Sequence, residues 1–551
     1  MIRIRGLGCL GVLAMALPGN AATPDEFDSV HSETVKTAMR DGTRLATDVY
    51  RPASAGKPVE GKFPVLVTRS PYNKNGEKSR GQFFARHGYV FVAQDCRGFF
   101  TSAGEPVPFV REGADTYDTI EWAASQDWSN GKVGTTGASY LGMNQLAGAI
   151  EVPPHLHVIY AAVAPGNYYD DAGYRGGIPG LGWPVWLVNS TGQKDLALKP
   201  DAWLAETREK RAAAFAAFPV QKQAYWDFYN HPAFDDYWKQ KGVWPAGYYS
   251  QMKDVPMFFV SGWYDGFCDA NLRHFSELSR VQKSPKKLMI GPWPHGYGKS
   301  ECGDASFGKD GDLDERTLQL DWFDHWLKGA SLKSIGPDSV RYYRIGKGDS
   351  RFADGKLNPG GEWLTAASWP PANTRFRRYY IRGEGRLDAA KPGREQPSSY
   401  DHDPDHPVPT IGGKQGNQCI QDQRPLLKRA DVLTFVTEPL TADLDVTGAP
   451  RAAIWASSGA SEADFIVRLA EVFPDGYAMI LSEGQVRARA AGSHTIELSS
   501  ISKLIGAGHR IALFVMSSSF PRLEPLPQKS RQTVYHETRR TTWLDLPVIS
   551  R

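Results

Sequence analysis

The stretch Lys132-Val133-Gly134-Thr135-Thr136-Gly137-Ala138-Ser139-Tyr140-Leu141-Gly142 decides the fold. Its first residues predict a short strand at 132–136, and the apolar run that follows predicts a helix at 140–150. Ser139 stands between them. A strand that turns sharply into a helix lifts such a hydroxyl above the sheet and aims it along the helix N-terminus. Gly137 and Ala138 leave room for that turn. The usual spacing is Gly-x-Ser-x-Gly, whereas here Leu141 takes the last place and the glycine comes at 142. Ser139 is a candidate nucleophile, with an ordinary strand–helix turn as the plain alternative.

Outward from this stretch the periodicity alternates. Strands are expected at 33–39 and 44–51, as a hairpin around Asp41-Gly42, and then at 63–69, 89–94 and 157–164, with helices at 81–87 and 114–125. Short apolar strands alternating with helices imply a parallel sheet covered on both faces. The order breaks near residue 166. Residues 166–250 are crowded with aromatics, among them Tyr168, Trp183, Trp186, Trp203, Trp226 and Trp238, and 201–218 reads as one Ala-rich helix. A helical cap inserted into the sheet domain is expected there. Strands resume at 256–260 and 287–290, and an amphipathic helix at 313–328 closes the unit. Beyond residue 335 only strand patterns remain, separated by Gly, Pro and Asp-Gly turns, which predicts a β-sandwich of the jelly-roll kind. The expected plan is an α/β-hydrolase core at 23–165 and 251–334, a cap at 166–250 and a jelly-roll β-domain at 335–551.

In such a core the acid and the histidine follow the serine along the chain. One resumed strand runs into Gly262-Trp263-Tyr264-Asp265-Gly266, and the next into Gly291-Pro292-Trp293-Pro294-His295. Both residues fall at the carboxyl ends of strands, where parallel sheets build their sites. His295 would take the proton from Ser139, and Asp265 would hold its tautomer. His325 competes, but its Trp-rich helical setting reads as packing. The oxyanion needs donors: the Tyr140 N–H is one, and Tyr72, on the loop after a strand in Arg69-Ser70-Pro71-Tyr72-Asn73-Lys74, is the candidate for the second, although on these residues alone an ordinary loop aromatic is the preferred reading.

These motifs resemble the CocE/NonD serine-hydrolase family, which includes cocaine esterase, α-amino-acid ester hydrolase, glutaryl-cephalosporin acylase and X-Pro dipeptidyl-peptidase. Asp95-Cys96-Arg97-Gly98, Lys132-Val133-Gly134, Ser139-Tyr140-Leu141-Gly142, Trp263-Tyr264-Asp265-Gly266 and Asp464-Phe465-Ile466-Val467-Arg468-Leu469 carry the likeness along nearly the whole chain. The resemblance implies the shifted Gly-x-Ser-Tyr-x-Gly elbow and a tyrosine hydroxyl in the oxyanion hole, which falls on Tyr72. It also exposes a departure. Members that accept α-amino acyl groups bear acidic residues just after the acid of the triad, and here Gly266-Phe267-Cys268 follow. Asp170 and Asp171 in the cap are the possible substitutes, although surface solvation is the reading preferred for them. An apolar or aromatic acyl group suits the Trp- and Tyr-rich cap better.

The bulk numbers exclude other classes. The 64 Lys and Arg against 61 Asp and Glu, with no basic block, give no nucleic-acid footprint. Arg3 and Arg5, the apolar run 7–17 and small residues up to Ala21 and Ala22 predict a signal peptide at 1–22, hence a secreted or periplasmic protein. The run is too short to span a bilayer. Cys96, Cys268, Cys302 and Cys419 would remain, with no Cys-x-x-Cys pair. Cys302 and Cys419 are placed to pair across a domain boundary, with free thiols as the equal alternative. No cofactor or metal is expected. The partner would be a small-molecule ester or amide, with assembly into a homo-oligomer left open. Two rivals stand beside an acyl hydrolase: an X-Pro dipeptidyl-peptidase or α-amino-acid ester hydrolase, and a non-catalytic carbohydrate-binding protein on a hydrolase scaffold.

Overall fold

The computed structural model describes residues 26–550, apart from 194, 197, 198, 337, 349–351, 354 and 415–417. The expected signal peptide lies outside the described residues.

The core is built on strands β1 (Ser29–Ala38), β2 (Arg44–Ser54), β3 (Phe63–Ser70), β4 (Val90–Asp95), β5 (Ser129–Ala138), β6 (Leu156–Ala162), β7 (Met257–Tyr264) and β8 (Lys286–Pro294). β1 and β2 form the antiparallel hairpin, and β2 runs antiparallel to β4. From there the pairing is parallel, in the spatial order β4-β3-β5-β6-β7-β8. Val65, Leu66, Val67, Val90, Phe91, Val92, Ile159, Tyr160, Phe258 and Phe259 are all at most 1% exposed, as strands covered on both faces require. The covering helices of the first part are α1 (Lys78–Arg86), α2 (Glu112–Ala124) and α3 (Tyr140–Ile150).

The cap departs from the sequence reading in one respect. It has the helices α4 (Gly182–Ser190) and α5 (Pro219–Asn230), but 201–218 is not one helix. It breaks into Asp201–Leu204, Arg208–Ala212 and a 3-10 turn at Ala213–Phe215. Thr207 adopts an extended backbone, φ −63° and ψ 160°, and its side chain accepts from the Lys210 N–H. An N-cap in mid-run stops one helix and starts the next, whatever the alanine content. The cap also contains a small β-hairpin, Tyr174–Arg175 with Ile178–Pro179, that the helical reading missed.

After α6 (Cys268–Val281) and α7 (Glu315–Phe323), two further strands extend the core sheet. β9 (Val340–Ile345) lies parallel to β8, and β10 (Gly361–Ala366) lies antiparallel to β9. The sequence places these residues beyond the core; strand pairing joins them to it. The remainder, from Thr374 to Ile549, is a domain of antiparallel strands. Core, cap and β-domain are clamped together. Glu524 of the β-domain takes Arg208 and Arg211 of the cap, and the Tyr229 hydroxyl donates to it at 3.3 Å. Cys302 and Cys419 form a disulfide, Cα atoms 5.2 Å apart, tying the loop beyond β8 to the β-domain. Cys96 and Cys268 are buried thiols.

Candidate active site

Ser139 closes β5 and caps α3 with φ 60° and ψ −120°. A non-glycine residue in that region is strained, and the strain persists only where the surroundings enforce it. Two glycines do so. A Cβ on Gly137, whose φ is 153°, would meet the Leu141 Cβ at 2.5 Å. A Cβ on Gly142 would come within 2.8 Å of the Ala164 Cβ and 3.0 Å of the Ala162 carbonyl. The displaced glycine of the motif is thereby explained. Position 142 faces β6 and must be bare, while Leu141 points into the aromatic cluster of the cap.

Asp265 and His295 lie on the turns after β7 and β8. His295 Nε2 is 3.0 Å from Ser139 Oγ, and its Nδ1 is 2.8 Å from Asp265 Oδ1. Asp265 is fully buried, and its other oxygen accepts from the Ser261 hydroxyl at 2.6 Å. Burial pushes the His295 pKa down, but the hydrogen bond and charge of Asp265 outweigh it, and the net shift is upward. The edge of Phe267 packs against the imidazole, ring centres 5.3 Å apart. Serine, imidazole and carboxylate thus form one relay able to move a proton off the hydroxyl. His325 stands elsewhere, its Nδ1 at 2.7 Å from the Ala330 carbonyl.

Tyr140 is the first residue of α3, so its N–H has no partner within the helix and stands beside the serine. Its own hydroxyl is committed elsewhere: it donates to Glu112 at 3.0 Å and accepts from the Phe109 N–H at 2.9 Å. Tyr72 sits on a loop pinned by Asp95, which accepts from the Lys74 N–H at 2.6 Å. The Tyr72 hydroxyl accepts from Trp186 Nε1 at 2.8 Å, which leaves its proton free to donate. Desolvation pushes its pKa up to about 12 against the opposing pull of Trp186 and Ser139, so the hydroxyl keeps that proton at neutral pH.

These groups open into a cavity of about 250 Å³. Its walls are aromatic: Tyr72, Phe109, Tyr140, Tyr168, Trp186 and Phe267. Trp186 stacks on Tyr140 and Trp183 with ring centres 5.7 and 5.2 Å apart. Arg175 of the cap and Lys414 and Arg522 of the β-domain also line it, and among the described residues the lining holds no carboxylate. Sequence reasoning missed these three, together with Glu112 and Ser261. Only their three-dimensional neighbours distinguish them from surface charge.

The two cap acids do not serve the cavity. Surface solvation is wrong for Asp171, which is buried. It accepts from the Gly166 and Asn167 N–H groups at 2.7 and 2.8 Å and is neutralised by Arg273 at 2.9 Å. Backbone donors and a guanidinium pull it inward. Asp170 is exposed and accepts from Asn167 at 2.6 Å.

A parallel sheet in this order, with serine, acid and histidine following β5, β7 and β8 in turn, defines an α/β-hydrolase, and the chain is a serine hydrolase of that fold. Comparison with known proteins narrows this. Residues 41–297 match the model of the X-Pro dipeptidyl-peptidase (S15) family, and 336–546 match the X-Pro dipeptidyl-peptidase C-terminal non-catalytic domain. The chain is 31% identical to the cocaine esterase of a Rhodococcus strain over 553 residues, covering 90% of this chain and 92% of the esterase. The chain belongs to this CocE/NonD family of serine hydrolases. Its fold is shared with a solved α-amino acid ester hydrolase, with a TM-score of 0.79, 23% identity and coverage of 96% and 98%. It is shared equally with an aminopeptidase from a Thaumarchaeota archaeon, with a TM-score of 0.78, 23% identity and coverage of 97% and 99%.

Proposed function

We propose that the chain hydrolyses carboxylic esters or amides through a covalent acyl-enzyme on Ser139. His295 removes the serine proton as the oxygen attacks the carbonyl, and returns it to the departing alcohol or amine. Asp265 fixes the tautomer of His295 and stabilises the imidazolium. The Tyr140 N–H and the Tyr72 hydroxyl donate to the oxyanion, where charge develops. Water activated by His295 then releases the acid. The single observation that carries this reading is the unbroken relay from Ser139 through His295 to Asp265, at 3.0 and 2.8 Å. Labelling by a fluorophosphonate tests it: the wild-type chain takes the label, and Ser139→Ala does not. Labelling that survives the substitution overturns the assignment.

The aromatic walls favour an apolar group next to the scissile carbonyl. An α-ammonium group, as an amino-acid ester or an X-Pro peptide carries, would find no carboxylate in the lining among the described residues. That argues against those substrates here. The chain is also proposed to be exported, with cleavage near Ala21 or Ala22. The Cys302–Cys419 disulfide supports this, because such bonds persist in oxidising compartments. Mass measurement of the N-terminus of the mature protein tests it, and an intact Met1 on the exported form would refute it.

A further inference from the structure

The proposed chemistry leaves three pocket-lining cations without a role. Arg175 is partly buried, at the tip of the cap hairpin. Its guanidinium donates to the main-chain carbonyls of Asp171 and, at 3.3 Å, Gly266, and it forms no ion pair among the described residues. A Cβ on Gly266 would lie 3.2 Å from Arg175 Nη2, so the guanidinium packs directly over the turn that carries Asp265. Arg522, only 7% exposed, reaches in from the β-domain. Its Nη2 donates to Gln485 at 2.9 Å, while Nη1 is buried with no hydrogen-bond partner. Among the described residues Nη1 has Glu483 at 3.3 Å, and Arg468 also takes that oxygen, at 3.2 Å. A single carboxylate therefore serves two buried guanidiniums. Lys414, by contrast, has Asp269 at 3.2 Å.

Desolvation and the neighbouring Arg522 charge pull the Arg175 pKa down to about 10, and the charges of Asp171, Glu483 and Asp265 offset them only in part. It is still charged at neutral pH. Positive charge held out of water with too little opposite charge around it is unfavourable until an anion joins it. A guanidinium suits a carboxylate, which it can bind through two parallel hydrogen bonds. We propose that Arg175 and Arg522 form an anion-binding subsite in the active-site pocket, so that the substrates are esters or amides bearing a carboxylate away from the scissile bond. This inference rests on the acyl-hydrolase reading above, and the aromatic walls then hold the apolar spacer between carbonyl and carboxylate.

Two substrate pairs on the full chain test it. Mono-4-nitrophenyl adipate against its methyl-capped diester places the charge on the acyl side. 4-Acetoxybenzoate against its methyl ester places it on the leaving side. In one pair the charged member is expected to have the higher kcat/KM, by about 10–100-fold, in keeping with a charge-assisted hydrogen-bonded pair. High salt should erode that advantage. Arg175→Met should cut the ratio of charged to neutral kcat/KM about tenfold, chiefly through KM, and Arg175→Lys should restore part of it. A purely structural role would lower both members alike and leave the ratio unmoved. If Arg175→Met does not fold, Arg522→Gln carries the same measurement. A ratio near one in both pairs, a preference for the neutral members, or a ratio unchanged in the variants overturns the subsite. If no ester is turned over, the Ser139 reading fails instead, and calorimetry with adipate decides the subsite. Binding weakened about tenfold by Arg175→Met supports it, and no binding at millimolar adipate overturns it.

Discussion

The two halves of the pocket are built differently. On one side Ser139, Asp265, His295 and Tyr72 project from strand ends and the loops that follow them, within a few residues of a buried, hydrogen-bonded sheet. On the other, Tyr168, Arg175 and Trp186 come from the cap, and Lys414 and Arg522 from the β-domain. The first half is positioned by local backbone geometry, down to a serine held at φ 60° by two flanking glycines. The second is positioned by long side chains meeting from segments far apart in the chain. Reactivity demands fixed atoms, and the sheet supplies them. Selectivity needs shape and charge at a distance, and interfaces between domains supply those.

The sharpest way to break the contrast is to attack the first half. Ser139→Ala should lower kcat for 4-nitrophenyl butyrate by about 10⁶-fold, since triad members act as a unit. Circular dichroism of the same variant should be unchanged. Asp265→Asn should cost about 10⁴-fold in kcat, because the imidazole loses its tautomer. Tyr72→Phe removes one of the proposed oxyanion donors and should reduce kcat by about 10²–10³-fold with little change in KM. A drop confined to KM would move Tyr72 into the second half. The upward shift of His295 has a defined sign. The base works when neutral, so kcat/KM should fall tenfold per unit as pH drops through a pKa above 6.5, with the limb moved to lower pH in Asp265→Asn. A limb below 6.5 in the wild-type chain would contradict the pairing. The smallest effect on chemistry should come from breaking the tie between the halves. Replacing Cys302 and Cys419 together by Ser opens a loop of 117 residues and should cost about 2–5 kcal/mol in stability, read from denaturant unfolding. The rate per folded molecule should stay nearly constant.

The same division governs what the amino-acid sequence reveals. Strand and helix periodicity locates the core, and the order of Ser139, Asp265 and His295 at the ends of three of its strands is visible because each lies beside its own strand. The shifted glycine at 142 is visible as an oddity, but its cause is not. That cause is the Ala162 carbonyl of β6 and the Ala164 Cβ just beyond it, brought close only by folding. Thr207 breaks the Ala-rich run of the cap through a single side-chain hydrogen bond, which composition outweighs in any windowed reading. Asp171 looks like a solvated acid because its partners, the Gly166 and Asn167 N–H groups and Arg273, mark it as buried only once the chain has turned back on itself. Arg175, Lys414 and Arg522 are three unremarkable basic residues until three parts of the molecule converge.

That convergence has a consequence for how such a protein changes over generations. The β-domain lends side chains to the pocket, yet it carries none of the proposed triad. An exchange or drift of its 410–420 and 520–525 segments can repurpose the molecule for a different diet while its chemical engine is inherited untouched. The clamp of Glu524 on Arg208 and Arg211 sets the terms of that inheritance, for a new β-domain must keep its grip on the old cap.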